Sequence, residues 1–391
     1  MTFLTNLDDP KLASTRPSFS LSQRGRSSME ILGDIQKYSA GKLRPQARAE
    51  FEADPATAPL ATAHKAYGEG KDSDTKAARD RIAQARAIAD HKPLFRLERF
   101  LQRWVAEEVF GSGIPAIEER RAQVEAFLAA PLPKSAGGTL DITNQTPPRY
   151  WETEWHLEPG GWDGYDLYNP MFAFAVGPFI FSKGGYAAVG VGDDIAQQRI
   201  ETVKQFPKSS YERIFEPGCG GATTFRALHA IFPDAELHGA DLSPALLKAG
   251  HRMVESMGIK AHLKQRDIVE TGEPDNFYDG VITYALHHEL PPKENARLFA
   301  ELFRIMKPGA DIVISDPPPF RAVDLFHAVV LDWDTENRGE PFFSAVLLSS
   351  LDEQLKDAGF VQVESYAIGQ DWYPWITRAR KPEAPALQNA A

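Results

Sequence analysis

The stretch RIFEPGCGGATTFRALHA, residues 213–230, decides how this chain folds. Two hydrophobic residues, Ile214 and Phe215, precede the acid Glu216, and a cluster of glycines follows. Apolar residues then recur with helical spacing from Phe225 onward. An apolar run, a glycine cluster and a helical period in this order predict a strand, a tight turn and a helix.

The same unit recurs along residues 201–380. Helical segments such as TTFRALHAIF and PALLKAGHRMVESMG alternate with short apolar runs such as AELHGAD and ADIVISD. Strands that alternate with helical segments of about ten to fifteen residues form βαβ units and a parallel sheet. We therefore predict the α/β fold class, with a doubly wound sheet whose ligand crevice lies at the carboxyl ends of the strands.

The rest of the chain differs from this segment in composition. The helical spacing of Leu97, Leu101 and Trp104 predicts amphipathic helices, which form either a core or a homodimer interface. A stretch with three tryptophans and repeated glycines follows and suggests a lid. The predicted organisation is a flexible tail (1–27), a helical N-terminal region (28–145), an aromatic and glycine-rich lid segment (146–200), a cofactor domain (201–380) and a second flexible tail (381–391).

The overall composition excludes several classes of protein. A formal net charge of −11 over 391 residues argues against nucleic acid as the main partner, because that affinity comes from clustered Lys and Arg. Cys219 is the single cysteine, so no intramolecular disulfide or cysteine-based metal cage forms, and no metal site is predicted. The sequence has no continuous apolar leader and no run of eighteen apolar residues. We therefore expect a cytoplasmic protein with no membrane partner.

The glycine turn is compatible with three kinds of ligand. A P-loop requires Gly-Lys-Ser/Thr at the helix start, where this chain has Gly221, Ala222 and Thr223. A dinucleotide site favours a third glycine, at the position that Thr223 occupies. Glu216 suits neither phosphate nor pyrophosphate, but it suits a ligand with cationic groups. S-adenosylmethionine carries a sulfonium and an ammonium, and no phosphate.

At this point the chain resembles the class I, Rossmann-like S-adenosylmethionine-dependent methyltransferases, small-molecule type, over residues 201–380. Their first motif is acid-x-Gly-x-Gly-x-Gly, which Glu216, Gly218 and Gly220 match, with Ala222 in place of the third glycine. The resemblance implies a seven-stranded sheet in the order 3-2-1-4-5-7-6 with the last strand antiparallel. S-adenosylmethionine is then the cofactor and S-adenosylhomocysteine the product.

Further motifs follow at the spacing that this family shows. Asp241 comes roughly twenty residues after the glycine turn, where a carboxylate accepts hydrogen bonds from both ribose hydroxyls. Asp267 resembles the family's acid at the adenine edge. The resemblance assigns neighbouring and cap residues to the cofactor as well: Leu242, Ile268, Tyr165 and Tyr186.

The acceptor side is predicted from two other stretches. LHHEL follows the fourth predicted strand of the 201–380 segment and offers His287 and His288 as catalytic candidates, with Tyr284 just before them and Glu289 as an orienting acid. The long connection after the fifth of these strands resembles the insertion that builds the acceptor pocket in these enzymes. Its candidate lining residues are Phe326, His327, Trp333, Phe342 and Phe343.

The predicted function is therefore methyl transfer to a small-molecule O, N, S or C nucleophile in a covered aromatic pocket. Two alternatives stay open at this stage. One is an NAD(P)-dependent Rossmann oxidoreductase, and the other is a non-catalytic protein that binds S-adenosylmethionine or assists assembly.

Overall fold

Eight strands form one sheet at the centre of the molecule. The computed structural model describes residues 20–131, 135–184, 195–369 and 372–383. The strands are β1 (Thr139–Asp141), β2 (Arg213–Pro217), β3 (Glu236–Asp241), β4 (Ala261–Gln265), β5 (Tyr278–Tyr284), β6 (Met306–Asp316), β7 (Val361–Ala367) and β8 (Trp375–Arg380). Their spatial order is β1-β4-β3-β2-β5-β6-β8-β7.

This arrangement confirms the predicted fold class and strand order. The seven predicted strands are β2 to β8, and β8 runs antiparallel to both β6 and β7, whereas the other pairs are parallel. The helices α9 (Ile195–Val203), α10 (Thr224–Ile231) and α11 (Pro244–Ser256) lie on one face, where Phe225 and Leu247 are buried. On the other face α12 (Pro292–Ile305) and α15 (Leu351–Asp357) bury Phe299 and Leu355.

The sheet has one strand more than the sequence predicts. β1 lies at the end of the predicted helical region and pairs in parallel with β4. The residues before it are held by Glu255, whose carboxylate accepts hydrogen bonds from the backbone N–H groups of Ala136 and Gly138, each at 2.8 Å. Such a short strand in a glycine-containing stretch has no periodicity of its own, and its partner β4 supplies the pairing.

The helices are α1 (Gln23–Tyr38), α2 (Arg44–Glu52), α3 (Thr57–Gly68), α4 (Thr75–Ala89), α5 (Pro93–Glu118), α6 (Arg121–Ala129), α7 (Tyr168–Met171), α8 (Ser182–Gly184), α9 (Ile195–Val203), α10 (Thr224–Ile231), α11 (Pro244–Ser256), α12 (Pro292–Ile305), α13 (Leu325–Asn337), α14 (Phe343–Leu348) and α15 (Leu351–Asp357). A short π-helix over Ser39–Leu43 joins α1 to α2. A second π-helix, over Phe172–Phe181, contains Pro178. α1 begins inside the predicted N-terminal tail, whose residues 1–19 lie outside the described part of the chain, as do residues 384–391 of the C-terminal tail.

The N-terminal helices pack on the sheet domain through a polar and apolar interface. Ile82 of α4 lies in one apolar cluster with Leu331 of α13. Arg99 of α5 is paired with Glu98, at 2.7 Å, and with Asp334 of α13, at 3.4 Å, and all three residues are buried. Buried charges are retained when they are paired, so this interface fixes α5 against the connection that follows β6.

Among the described residues, no helix is long and apolar enough to cross a membrane.

Candidate active site

The glycine turn between β2 and α10 carries three residues in the left-handed backbone region. The φ angles are 63° at Gly218, 49° at Gly220 and 56° at Ala222. A Cβ on Gly218 would lie 2.5 Å from a methyl group of Leu286, whereas a Cβ on Gly220 would have no neighbour closer than 4.0 Å. Packing therefore requires the first glycine, and the second leaves open space above the turn. Ala222 keeps the conformation at a cost of about 1–2 kcal/mol, which explains why glycine suits that position.

Glu216 ends β2 directly before this turn. The residue is 2% exposed, and its Oε2 atom has no hydrogen-bond partner among the described residues. Burial raises the pKa of Glu216 to about 7, although Arg199 and Thr224 oppose the shift. A buried acid with an unsatisfied oxygen is suited to a ligand that brings a hydrogen-bond donor or a positive charge.

Asp241 lies at the neighbouring strand end and is held by backbone donors. Its Oδ2 accepts a hydrogen bond from the N–H of Gly220 at 2.8 Å, and its Oδ1 accepts one from the N–H of Ser243 at 2.9 Å. Burial raises the pKa of Asp241 to about 6, against the effect of these two donors. The geometry thus brings Asp241 into direct contact with the glycine turn.

The predicted adenine-side residues follow β3 and β4. Asp267 accepts a hydrogen bond from the N–H of Val269 at 3.1 Å, and burial raises its pKa. Leu242 and Ile268 are buried. The backbone N–H of Asp267 donates to the side-chain oxygen of Gln145 at 3.1 Å. Gln145 escaped prediction because it lies in a polar stretch without periodicity, and only the fold brings it to this edge.

The two tyrosines assigned by resemblance differ in placement. The hydroxyl of Tyr165 donates to Glu118 at 2.7 Å, at the end of α5, so this phenol is directed toward the helical region. Tyr186 lies outside the described residues. Asn169 lies closer to the glycine turn, because a Cβ on Gly221 would come within 2.5 Å of its amide nitrogen.

His287 is held at both ring nitrogens inside the protein. Its Nε2 lies 3.1 Å from the hydroxyl of Thr283, and its Nδ1 lies 2.7 Å from the side-chain oxygen of Asn295. The ring stacks on Phe299. Burial lowers the pKa of His287. These contacts orient the loop after β5.

His288 points to a different set of partners. Its Nδ1 lies 2.8 Å from Asp316 and its Nε2 lies 3.3 Å from Glu289. Burial alone would lower the pKa of His288, but these two carboxylates outweigh it and raise the pKa well above its usual value. A raised pKa favours the cationic imidazole, which is not a proton acceptor.

Tyr284 ends β5 and faces α9. Its hydroxyl donates to Gln198 at 3.0 Å, and the guanidinium of Arg199 lies 3.9 Å from the centre of its ring. The same guanidinium lowers the pKa of Glu216. Tyr284 therefore helps to place a positive charge beside the acid of the glycine turn.

The lid segment and the connection after β6 meet over the carboxyl edge of the sheet. The ring of Phe342 lies 5.6 Å from Trp155 and 6.4 Å from Tyr150. The N–H of His156 donates to the carbonyl of Gly339 at 3.0 Å. These contacts form a roof that connects the two segments.

A charged cluster forms where this roof reaches the loop after β5. The Nε2 atom of His156 lies 2.9 Å from Glu289 and 3.2 Å from Glu340. Burial alone would lower the pKa of His156, but the two carboxylates raise it well above its usual value. Glu158 lies nearby and is fully buried, so its pKa rises to about 8 against the opposing charge of His156. His156, Glu158 and Glu340 were not predicted from the sequence, because three separate segments carry the cluster.

The predicted acceptor-pocket residues separate into two groups. Phe343 lies edge-on to His288, with ring centres 5.4 Å apart. Phe326 packs instead against Phe51 of α2, and Trp333 against the guanidinium of Arg99. His327 lies edge-on to Trp372. The structure therefore joins Phe343 to the candidate site and places Phe326 and Trp333 against the N-terminal helices.

Comparison with known proteins gives concordant results for the sheet domain. The sequence profile of a family described as a methyltransferase domain matches residues 214–309. A demethylmenaquinone methyltransferase of Thermus thermophilus is 28% identical over 167 residues, which are 42% of this chain and 67% of the relative. A trans-aconitate 2-methyltransferase of Methylobacterium radiotolerans is 25% identical over 125 residues, or 32% of this chain and 45% of the relative. The chain thus spans about two thirds of the first relative and less than half of the second.

Solved structures with a similar fold include phosphoethanolamine N-methyltransferase 2 of Haemonchus contortus in complex with S-adenosyl-L-methionine. It is 17% identical, with a TM-score of 0.37, and the match covers 48% of this chain and 53% of that chain. The S-adenosylmethionine-dependent methyltransferase SibL is 19% identical, with a TM-score of 0.40, and the match covers 48% of this chain and 56% of that chain.

The matched segment and the strand order support a methyltransferase domain of the class I, Rossmann-like, S-adenosylmethionine-dependent type within this chain. The predicted enzyme class and the predicted cofactor, S-adenosylmethionine, are thereby confirmed.

Proposed function

We propose that this protein transfers the methyl group of S-adenosylmethionine to a small-molecule acceptor held beneath the roof formed by the lid segment and the connection after β6. The supporting observation is the contact between these two segments, through Trp155, Phe342 and the N–H of His156. A roof of this kind suits a small acceptor better than a macromolecule, which needs an open mouth.

The cofactor is assigned to the edge formed by β2, β3 and β4. Asp241 would accept hydrogen bonds from the ribose hydroxyls, and Glu216 would bind the positively charged end of the ligand. The open space at Gly220 and the unsatisfied oxygen of Glu216 fit a ligand of this chemistry. Gly218 shapes the turn. Asp267 is assigned to the adenine edge, with Leu242 and Ile268 packing on the ring.

The bound cofactor supplies a methyl group on a sulfonium, which becomes a neutral thioether on transfer. The protein contributes mainly by holding the acceptor in line with that methyl group and by excluding water. Asp316 and Glu289 occupy both ring nitrogens of His288 and raise its pKa, so we assign His288 to positioning Glu289 and the loop after β5 rather than to taking a proton. His287 and Tyr284 are assigned to positioning, of the loop and of Arg199 respectively.

The test is transfer of labelled methyl from S-adenosylmethionine to a cell extract that has been separated by ultrafiltration into small molecules and macromolecules. We expect label in the small-molecule fraction with the unaltered protein and none with Asp241→Ala. Label confined to the macromolecules would contradict the small acceptor. Cofactor binding with no label in either fraction would instead support a non-catalytic role.

A further inference from the structure

The charged cluster at the roof is a candidate for a bound ion. We propose that His156, Glu289 and Glu340 bind one divalent cation, of the type that prefers oxygen ligands, at the edge of the acceptor pocket. One imidazole nitrogen and two carboxylate groups form the donor set. Hard cations such as Mn²⁺ and Mg²⁺ favour carboxylate oxygen, and Mn²⁺, a transition-metal ion, also accepts an imidazole ligand.

The separations between the donor atoms fit a coordination sphere. The Nε2 atom of His156 lies 2.9 Å from Glu289 and 3.2 Å from Glu340. Ligand bonds of about 2.1 Å at right angles separate adjacent donors by about 3 Å. A single N–H cannot form two linear hydrogen bonds, so His156 alone cannot satisfy both carboxylates, and the second imidazole, His288, lies 3.3 Å from Glu289.

Unsatisfied buried oxygens supply a second observation. The Oε2 atoms of Glu289 and Glu340 are buried, and neither has a hydrogen-bond partner among the described residues. Glu158 is fully buried, and neither of its carboxyl oxygens has a partner there either. Buried carboxyl oxygens without donors are costly unless a positive charge compensates them.

The location links the cation to the acceptor. Glu289 follows the carboxyl end of β5, three residues after Leu286, which contacts the glycine turn. His156 comes from the lid segment and Glu340 from the connection between α13 and α14. A cation there would hold the two segments of the roof together and present a positive charge to an acceptor with hydroxyl or carboxylate oxygens. This role in acceptor binding rests on the proposed function, whereas the binding of the ion does not.

A second histidine and carboxylate group offers an internal control. His238 and His262 each lie 3.2 Å from Glu236. Glu236 begins β3, so this group lies at the opposite edge of the sheet from the glycine turn. The side chain of Glu236 is 35% exposed and lies 3.8 Å from Arg213, a cation that competes with a metal.

The experiment is titration of the metal-depleted full chain with Mn²⁺, followed by electron paramagnetic resonance of the free ion. We expect the unaltered protein to bind one Mn²⁺ per chain. Glu340→Gln and His156→Ala should bind it at least about tenfold more weakly, and His238→Ala should bind it with unchanged affinity. Glu340→Gln keeps the shape of the side chain, and Glu289→Gln is a second variant of the same kind if one fails to fold.

Three results would overturn the cation site: no saturable Mn²⁺ binding, equal affinity in the roof variants, or loss of binding in His238→Ala. Calorimetry of the same samples with S-adenosylmethionine separates the two proposals. Cofactor binding without Mn²⁺ binding rejects the cation site alone. Mn²⁺ binding without cofactor binding rejects the proposed function and leaves the cation site standing.

Discussion

We expect cofactor binding to depend on pH through Glu216. The pKa of this acid is raised to about 7 in the folded protein, so its protonated form predominates below that value. A cationic ligand favours the ionised form, which rises from about 10% at pH 6 to about 90% at pH 8. We expect the affinity for S-adenosylmethionine to rise roughly tenfold over this range. Ionisation of Asp241, whose pKa is raised to about 6, should add to the increase near pH 6.

The measurement is calorimetry at several pH values on the unaltered protein and on Glu216→Gln, whose side chain does not titrate. The variant should lose most of the pH dependence. The same raised pKa affects stability, because the folded state binds the proton of Glu216 more tightly than the unfolded state does. The free energy of unfolding should therefore fall as the pH rises from the pKa of the unfolded state to the folded-state pKa of about 7. An affinity that falls with rising pH would contradict the assigned role of this acid.

The two glycines of the turn should respond differently to alanine. At Gly218 a Cβ meets Leu286 at 2.5 Å and the φ angle is 63°, so Gly218→Ala should lower the free energy of unfolding by about 2–4 kcal/mol. Gly220→Ala introduces only the backbone strain of a φ angle of 49°, so it should lower the free energy of unfolding by about 1–2 kcal/mol. Denaturant unfolding of the two variants measures this difference, and equal losses would reject the packing argument.

At the scale of elements, the buried charges between α5 and α13 hold the helical region to the sheet domain. Glu98 is 1% exposed and pairs with Arg44 at 3.1 Å as well as with Arg99. Removal of this acid takes one carboxylate away from both guanidinium groups, and for Arg99 the longer contact with Asp334, at 3.4 Å, remains. Glu98→Ala should therefore lower the free energy of unfolding by about 3–5 kcal/mol.

The matched control is Glu107→Ala, on the same helix, where the pair with Arg103 is exposed at both ends. Its effect should stay below about 0.5 kcal/mol, because exposed ion pairs contribute little. Both effects are read from denaturant unfolding. A change as small in Glu98→Ala as in the control would show that α5 is not held by these charges.

The elements also show which parts of the fold the sequence predicts. The alternation of helical segments and apolar runs predicts β2 to β8, most plainly β2, β5 and β6, because strands buried on both faces read as short apolar stretches. β1 escapes this argument because its pairing depends on β4 and on Glu255, which are distant in sequence. Glu216 and Asp241 are predictable for a similar reason, since each one ends a predicted strand. His156 and Glu340 lie in loops that only the folded chain brings together.

At the scale of the whole molecule, the predicted homodimer through the N-terminal helices stays a prediction. Trp104 is half-buried in the apolar cluster of α1 and α5, so a charge there would disturb folding as well as association. Phe100 of the same helix is 64% exposed and offers a cleaner test. If this face joins two copies, Phe100→Glu should halve the mass found by light scattering while leaving the helical content unchanged. An unchanged mass would reject this face as the interface.

The central claim is that the carboxyl edge of the sheet binds S-adenosylmethionine through Asp241. The most direct measurement is calorimetry of the full chain with S-adenosylmethionine, S-adenosylhomocysteine and NADH, repeated on Asp241→Ala, with Asp234→Ala, an exposed acid, as control. We predict binding of the first two ligands, and a loss of about 100-fold in Asp241→Ala, since hydrogen bonds to a carboxylate contribute about 1.5–3 kcal/mol each. The control should bind as the unaltered protein does. Binding of NADH alone, or equal affinity for S-adenosylmethionine in Asp241→Ala, would contradict the claim.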